Sequence, residues 1–153
     1  MKILLALLAL LMPVAAQAAA GVSLVNKVLV ERVETTPDGR STTTRTEPGV
    51  VTPGDRLVFL LSYRNDGAEP ASAFVLTNPV PDSVTFAGTD DASAVVSVDG
   101  GTTWGPLSSL TVVAADGTSR PAQVSDVTHI RWSLAQPVPS GGAGELSFRG
   151  VVK

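Results

Sequence analysis

The first long apolar run after the N-terminal segment, VSLVNKVLVERVE from Val22 to Glu34, leaves neither of its two faces polar. Its valines favour an extended strand, because side chains branched at Cβ fit a pleated surface and lose rotamer freedom in a helix. Successive side chains of a strand point to opposite faces. The two apolar sets that result are Val25, Leu29 and Val33 on one face and Leu24, Val28 and Val30 on the other. The pattern therefore raises the question of what covers the second face.

The next two segments predict a polar hairpin arm and then the strongest core strand. STTTRTE, residues 41–47, is rich in β-branched threonine and follows the turn TTPDGR, so we expect it to pair back on the first strand. Its faces are almost wholly polar, so it can bury little apolar area. RLVFLLSYRNDG, residues 56–67, places Leu57, Phe59 and Leu61 on one face and predicts a buried strand.

Short strands separated by turn formers follow to the end of the chain. The segments that contain them are AFVLTNPVP, SVTFAG, AVVSVDGGTTWG, LTVVAADGTSRPAQ, VTHIRWS and a last segment from Glu145. Within AVVSVDGGTTWG we expect a hairpin with its tip at residues 99–101. This gives about eight to ten strands and requires no helix of three turns. The predicted fold class is an all-β, immunoglobulin-like two-sheet antiparallel sandwich. Cysteine is absent, so the sandwich has no disulfide.

The first twenty residues, MKILLALLALLMPVAAQAAA, have the order of a cleaved secretory signal: a lysine, an apolar run and then small residues. The run is shorter than the roughly 18 apolar residues that a spanning helix needs, and no later segment approaches that length. Cleavage after Ala18 and cleavage after Ala20 both fit. We expect a secreted protein, extracellular or at the cell surface, with the periplasm as the alternative and no transmembrane segment after signal cleavage. The predicted division is a signal at 1–20, an N-terminal strand and hairpin arm at 21–47 and a sandwich body at 48–153.

Several motifs of the body agree in order with a known family. They are the PGD entry in VVTPGDRLVF, the NDG turn, the TNPVP strand end and the PVPSGGAGELSF approach to the last strand. Over residues 50–153 the chain resembles the bacterial and archaeal conserved-repeat domain of unknown function, the eleventh domain catalogued under that label. The resemblance implies an immunoglobulin-like sandwich on exported and cell-surface proteins, and it implies no catalytic residues. A single copy replaces the family's usual array, which argues against a passive stalk spacer.

The sequence offers little that points to catalysis or to a cofactor. His129 is the lone histidine, whereas a catalytic triad also needs a nucleophile and an orienting acid. Asp90, Asp91 and Asp99 would suit calcium as hard oxygen ligands on loops, but turn geometry alone also favours aspartate there. The net charge is −3, and the basic residues are scattered along the sequence and not clustered. This argues against a nucleic-acid partner. We therefore predict a protein that is not an enzyme and needs no cofactor.

Two functions from different classes remain open. In the first, the N-terminal strand is donated to the next subunit and builds a head-to-tail filament. Exposed apolar edges invite pairing and are normally blunted, and donation would cover this one. The partner is then the chain itself, and the residues predicted to mediate self-assembly are Leu24, Val25, Val28, Leu29 and Val33. In the second, the chain is a monomeric periplasmic or cell-surface binding or adhesion module that meets another surface protein. Pairing of the strand within its own sandwich is an equally open reading.

Overall fold

The computed structural model describes residues 21–153, so the predicted signal peptide lies outside the described residues. Within that range the chain forms ten strands and two single turns of 3-10 helix, at Leu107–Ser109 and Val124–Asp126, and no helix long and apolar enough to cross a membrane. The strands are β1 (Val22–Thr35), β2 (Ser41–Thr46), β3 (Arg56–Asn65), β4 (Val75–Pro79), β5 (Val84–Gly88), β6 (Val95–Ser97), β7 (Thr111–Val113), β8 (Ser119–Pro121), β9 (His129–Ser133) and β10 (Ala143–Val152).

The strands form two principal antiparallel sheets and one small ribbon. The larger sheet has the order β2-β1-β3-β10-β5, the smaller has the order β4-β9-β6, and β7 pairs with β8. The pairings recorded in these sheets are antiparallel. The predicted all-β antiparallel sandwich is therefore confirmed, and its strand count lies at the upper end of the expected range.

The core lies between the two principal sheets and is built from alternate residues of their central strands. Phe59 of β3 stacks on Phe148 of β10 at 4.4 Å between ring centroids, and Trp132 of β9 approaches Phe148 from the other sheet at 6.4 Å. Phe148 and Trp132 are at most 1% exposed. The alternation read from β3 is confirmed, because Leu57, Phe59 and Leu61 all join this core cluster. Val58, between them, faces the other side of the sheet.

The hairpin expected around residues 99–101 is found only in part. β6 pairs with β9, and the returning chain meets β6 at one isolated bridge, Val96 to Gly105. Asp99 organises the loop by accepting hydrogen bonds from the backbone N–H of Thr103 at 2.8 Å and from the Ser97 hydroxyl at 2.7 Å. These bonds hold the pKa of the Asp99 carboxyl well below its ordinary range. The carboxylate replaces the strand pairing that a tight hairpin would provide.

Gly150 marks a place where β10 has no room for a side chain. It lies opposite Leu57 and Phe86, and a Cβ atom there would overlap Val84 Cγ1 and come within 3.5 Å of Phe59 Cε2. We expect Gly150→Ala to lower the free energy of unfolding by about 1–3 kcal/mol, because overpacking forces neighbours out of their rotamers. Urea unfolding measures the loss.

Gly49→Ala is the matched control for this substitution, because a Cβ there has no neighbouring atom within 4 Å. We expect that variant to be at least as stable as the parent chain. Equal stability losses in the two variants would contradict the packing argument.

Candidate self-assembly site at the N-terminal arm

β1, β2 and the turn between them form one unit, here called the N-terminal arm (residues 22–46). β1 pairs with β3 from Val22 to Glu31 and with β2 from Val30 to Thr35. The turn is closed by hydrogen bonds between Thr36 and Arg40. Among residues 21–153, β2 has no strand partner other than β1, and the outer edge of β1 from residue 22 to residue 29 has none. The sheet pairing of the arm to the rest of the chain is thus a single strand-to-strand ladder.

The structure separates the five predicted residues into two groups. Leu24, Val25, Val28 and Leu29 all lie on the stretch of β1 that pairs with β3. Val33 lies beyond the start of β3, opposite Thr43 of the arm's own second strand. The sequence analysis grouped all five residues, whereas the structure puts four of them on the ladder between the arm and the body and Val33 outside it.

The two faces of β1 meet different surroundings. On the inner face, Val30 is buried in the core and Val28 packs against it. On the outer face, Val25 is 63% exposed and Val33 is 51% exposed, whereas Leu29 is half-buried beside its register partner Val58. The sandwich thus covers part of the inner face, and no second layer of residues 21–153 covers Val25 or Val33.

The outer edge of β1 lacks the features that usually protect a strand edge. Residues 22–35 contain no proline, and Lys27 carries the one charge between residues 22 and 30. By contrast, β4, at an edge of the smaller sheet, ends at Pro79 and is followed by Pro81. Prolines and charges blunt an edge because they prevent further strands from pairing there. Of these two edges, β1 is the one left open to another chain.

A groove opens beside this unprotected edge, between the two principal sheets. Its volume is about 240 Å³, which is below the roughly 300–1,000 Å³ of a typical ligand pocket. It is lined by side chains of both sheets, including Val28, Phe59, Leu61, Pro79 and Pro81. The sandwich is thus incompletely closed along the side where the arm docks.

A chain of ion pairs crosses the outer face of the larger sheet from the arm to the body. Glu31 of β1 contacts Arg45 of β2 at 3.0 Å and Arg149 of β10 at 3.7 Å. Arg149 in turn donates two hydrogen bonds of 2.8 Å to the carboxylate of Asp90. This pairing lowers the pKa of Asp90 and raises that of Arg149. Sequence reasoning considered Asp90 only as a calcium ligand and missed its ion pairing and the roles of Glu31, Arg45 and Arg149, although a glutamate within an otherwise apolar strand was a visible signal.

The acidic residues considered for calcium are engaged in separate local contacts. Asp90 pairs with Arg149, Asp91 accepts hydrogen bonds from the backbone N–H and hydroxyl of Ser93, and Asp99 holds its own loop. Within residues 21–153, no group of three or more His, Cys, Asp or Glu side chains is placed to hold a metal ion. His129 packs edge-on against Trp104, with 6.3 Å between ring centroids.

Comparison of the chain with protein-family models, with curated proteins and with solved structures finds no match. The resemblance to the conserved-repeat domain accordingly stays a prediction from its motifs.

Proposed function

We propose that this chain is an exported, non-catalytic structural protein whose copies assemble head to tail by donating the N-terminal arm. The observation that carries the proposal is the way the arm joins the body, through the one ladder from Val22–Asn65 to Glu31–Arg56. Because β2 pairs with β1, both strands can leave together without breaking the arm itself. The place that the arm vacates on β3 is then filled by the arm of a neighbouring copy.

This exchange preserves the contacts of the arm while changing which chain supplies them. Exchange of an identical element between subunits has a low energetic cost for that reason. A contact that repeats head to tail without closing builds a filament. The main-chain hydrogen bonds of the added strand supply affinity, and its alternate side chains supply specificity. Leu24, Val25, Val28 and Leu29 are the arm residues that we place in this contact.

The connector between the arm and β3 supplies a hinge. On its body side, Asp55 accepts a hydrogen bond from the backbone N–H of Thr52 at 2.8 Å, and Gly54 donates one to the carbonyl of Val152. Residues 47–51 are exposed, and Val50 is 91% exposed. Hinges are formed by a few loop residues that absorb the change in backbone angles. We therefore place the hinge at residues 47–51.

Light scattering coupled to size-exclusion chromatography of residues 21–153, followed by negative-stain microscopy, tests the proposal. We expect particles whose mass rises with protein concentration and that appear as filaments one subunit wide. A monomer of constant mass at every concentration would contradict assembly, and it would favour the monomeric binding module instead.

A further inference from the structure

We infer that the pair formed by Glu31 of the arm and Arg149 of the body determines which body an arm accepts and in which register it docks. This inference rests on the proposed function, because it concerns the same contact between arm and body. The arm that docks on each body is that of a second copy of this chain.

The ion pairs divide cleanly between the two sides of that contact. Glu31 and Arg45 belong to the arm and contact each other at 3.0 Å, so they travel together. Arg149 and Asp90 belong to the body and are held together by two hydrogen bonds of 2.8 Å. The contact of 3.7 Å between Glu31 and Arg149 joins the two halves. Each half is therefore prepared before docking, with a carboxylate on the arm and a guanidinium on the body.

Burial makes this one contact selective. The side chain of Glu31 is 8% exposed in the docked arm, whereas that of Arg149 is 32% exposed. Without Arg149, the buried carboxylate of Glu31 keeps only Arg45 of its own arm as an ion-pair partner. Losing a partner of a buried charge is more costly than losing an exposed pair, so the arm binds less well to a body that lacks the guanidinium.

The same contact fixes the register of the arm on β3. A slip of one residue would turn Glu31 toward the core, because successive side chains alternate between faces. A slip of two residues would keep the face but bring Leu29 or Val33 to the position of Glu31. The carboxylate would then move away from Arg149, and Val58, which is 1% exposed, would lose its partner Leu29. The docked register is the one that satisfies both the charge and the apolar contact.

Charge reversal in separate chains tests the inference. The Glu31→Arg variant has an arginine on its arm and the natural Arg149 on its body. The Arg149→Glu variant has the natural Glu31 on its arm and a glutamate on its body. Alone, each variant brings like charges together at every contact between arm and body, within one chain as well as between chains, so the undocked arm is favoured. When the two variants are mixed in equal amounts, the arm of each has a charge opposite to that on the body of the other. The two chains should therefore alternate along one filament.

We expect each variant alone to assemble at a concentration about tenfold or more above that of the parent chain, and the mixture to recover most of the difference. Lys27→Glu is the matched control, because this residue lies on the same face of β1 and forms an exposed ion pair with Glu47 of the connector. That control should assemble like the parent chain. Recovery in the mixture also shows that both variants fold.

Two outcomes separate this inference from the proposed function. If the parent chain forms filaments and both charge variants do so equally well alone, or if the mixture does not recover, the specificity of the pair is overturned while assembly stands. If the parent chain stays monomeric, assembly and this inference are overturned together.

Discussion

Replacing Leu29 with aspartate is expected to stop filament formation at concentrations where the parent chain assembles. Leu29 is half-buried on the outer face of β1, next to Val58 and two residues from the carboxylate of Glu31. A second carboxylate there would be partly desolvated without a partner, which costs every docked arm about 3 kcal/mol and favours the undocked arm roughly a hundredfold. Sedimentation of the assembled fraction over a concentration series measures the change.

Val33→Asp is the matched control, since Val33 is on the same face of β1 but beyond the start of β3. This variant should assemble like the parent chain. Both variants should stay folded by circular dichroism, because the core lies on the opposite face of the sheet. Loss of the fold in Leu29→Asp would show instead that β1 belongs firmly to its own sandwich, and equal loss of assembly in both variants would contradict the placement of the contact.

Replacing Asn65 with leucine is expected to lower the free energy of unfolding by about 4 kcal/mol. Asn65 is fully buried, its amide nitrogen donates to the carbonyls of Glu69 at 2.8 Å and Val138 at 2.9 Å, and its amide oxygen accepts from Gly67 N–H at 3.0 Å. The substitution leaves the Glu69 carbonyl and the Gly67 N–H without this partner, whereas the Val138 carbonyl keeps its bond from the Ala71 N–H. Each group left unpaired costs about 1–3 kcal/mol. Chemical unfolding measures the loss.

Asn78→Leu provides the comparison for that prediction. The Asn78 amide nitrogen makes one local bond, to the carbonyl of Pro79 at 2.8 Å, and the residue is only half-buried near the end of β4. We expect a loss below about 1 kcal/mol there. Losses of equal size at the two positions would contradict the role of Asn65 as the tie between the two loops.

Local pattern was enough to predict most of the strands and the core face of β3. The first strand was expected at residues 22–34 and is found at Val22–Thr35, and its hairpin with Ser41–Thr46 forms as expected. Alternation sets which side chains share a face, so the core side of β3 could also be read from the sequence. Sandwich architecture followed from the number of such strands and the turns between them.

Contacts between distant segments could not be predicted in the same way. Tertiary packing determines that β1 pairs with β3 and that β3 begins opposite Glu31. It also determines that β10 lies on the other side of β3. For that reason Val33 was grouped with the other four residues although it lies beyond the ladder. The ion pairs from Arg45 to Asp90 join four separate segments, whose charges show no pattern along the chain.

Engineered cysteines give a direct readout of which chain supplies each arm, because the natural chain contains none. Val25 and Ser62 are register partners on the outer face of β1 and β3. Antiparallel partners have Cα atoms about 4.5–5.5 Å apart, a separation that a disulfide can bridge. Val25→Cys combined with Arg64→Cys, which is out of register by two residues, is the control and should cross-link poorly.

The double variant Val25→Cys, Ser62→Cys tests arm donation most directly. It is oxidised at a concentration where the parent chain assembles and is then separated on a denaturing gel without reductant. Donation predicts a ladder of covalently linked multimers that collapses to one band when reductant is added. A single band of internally cross-linked monomer would contradict it.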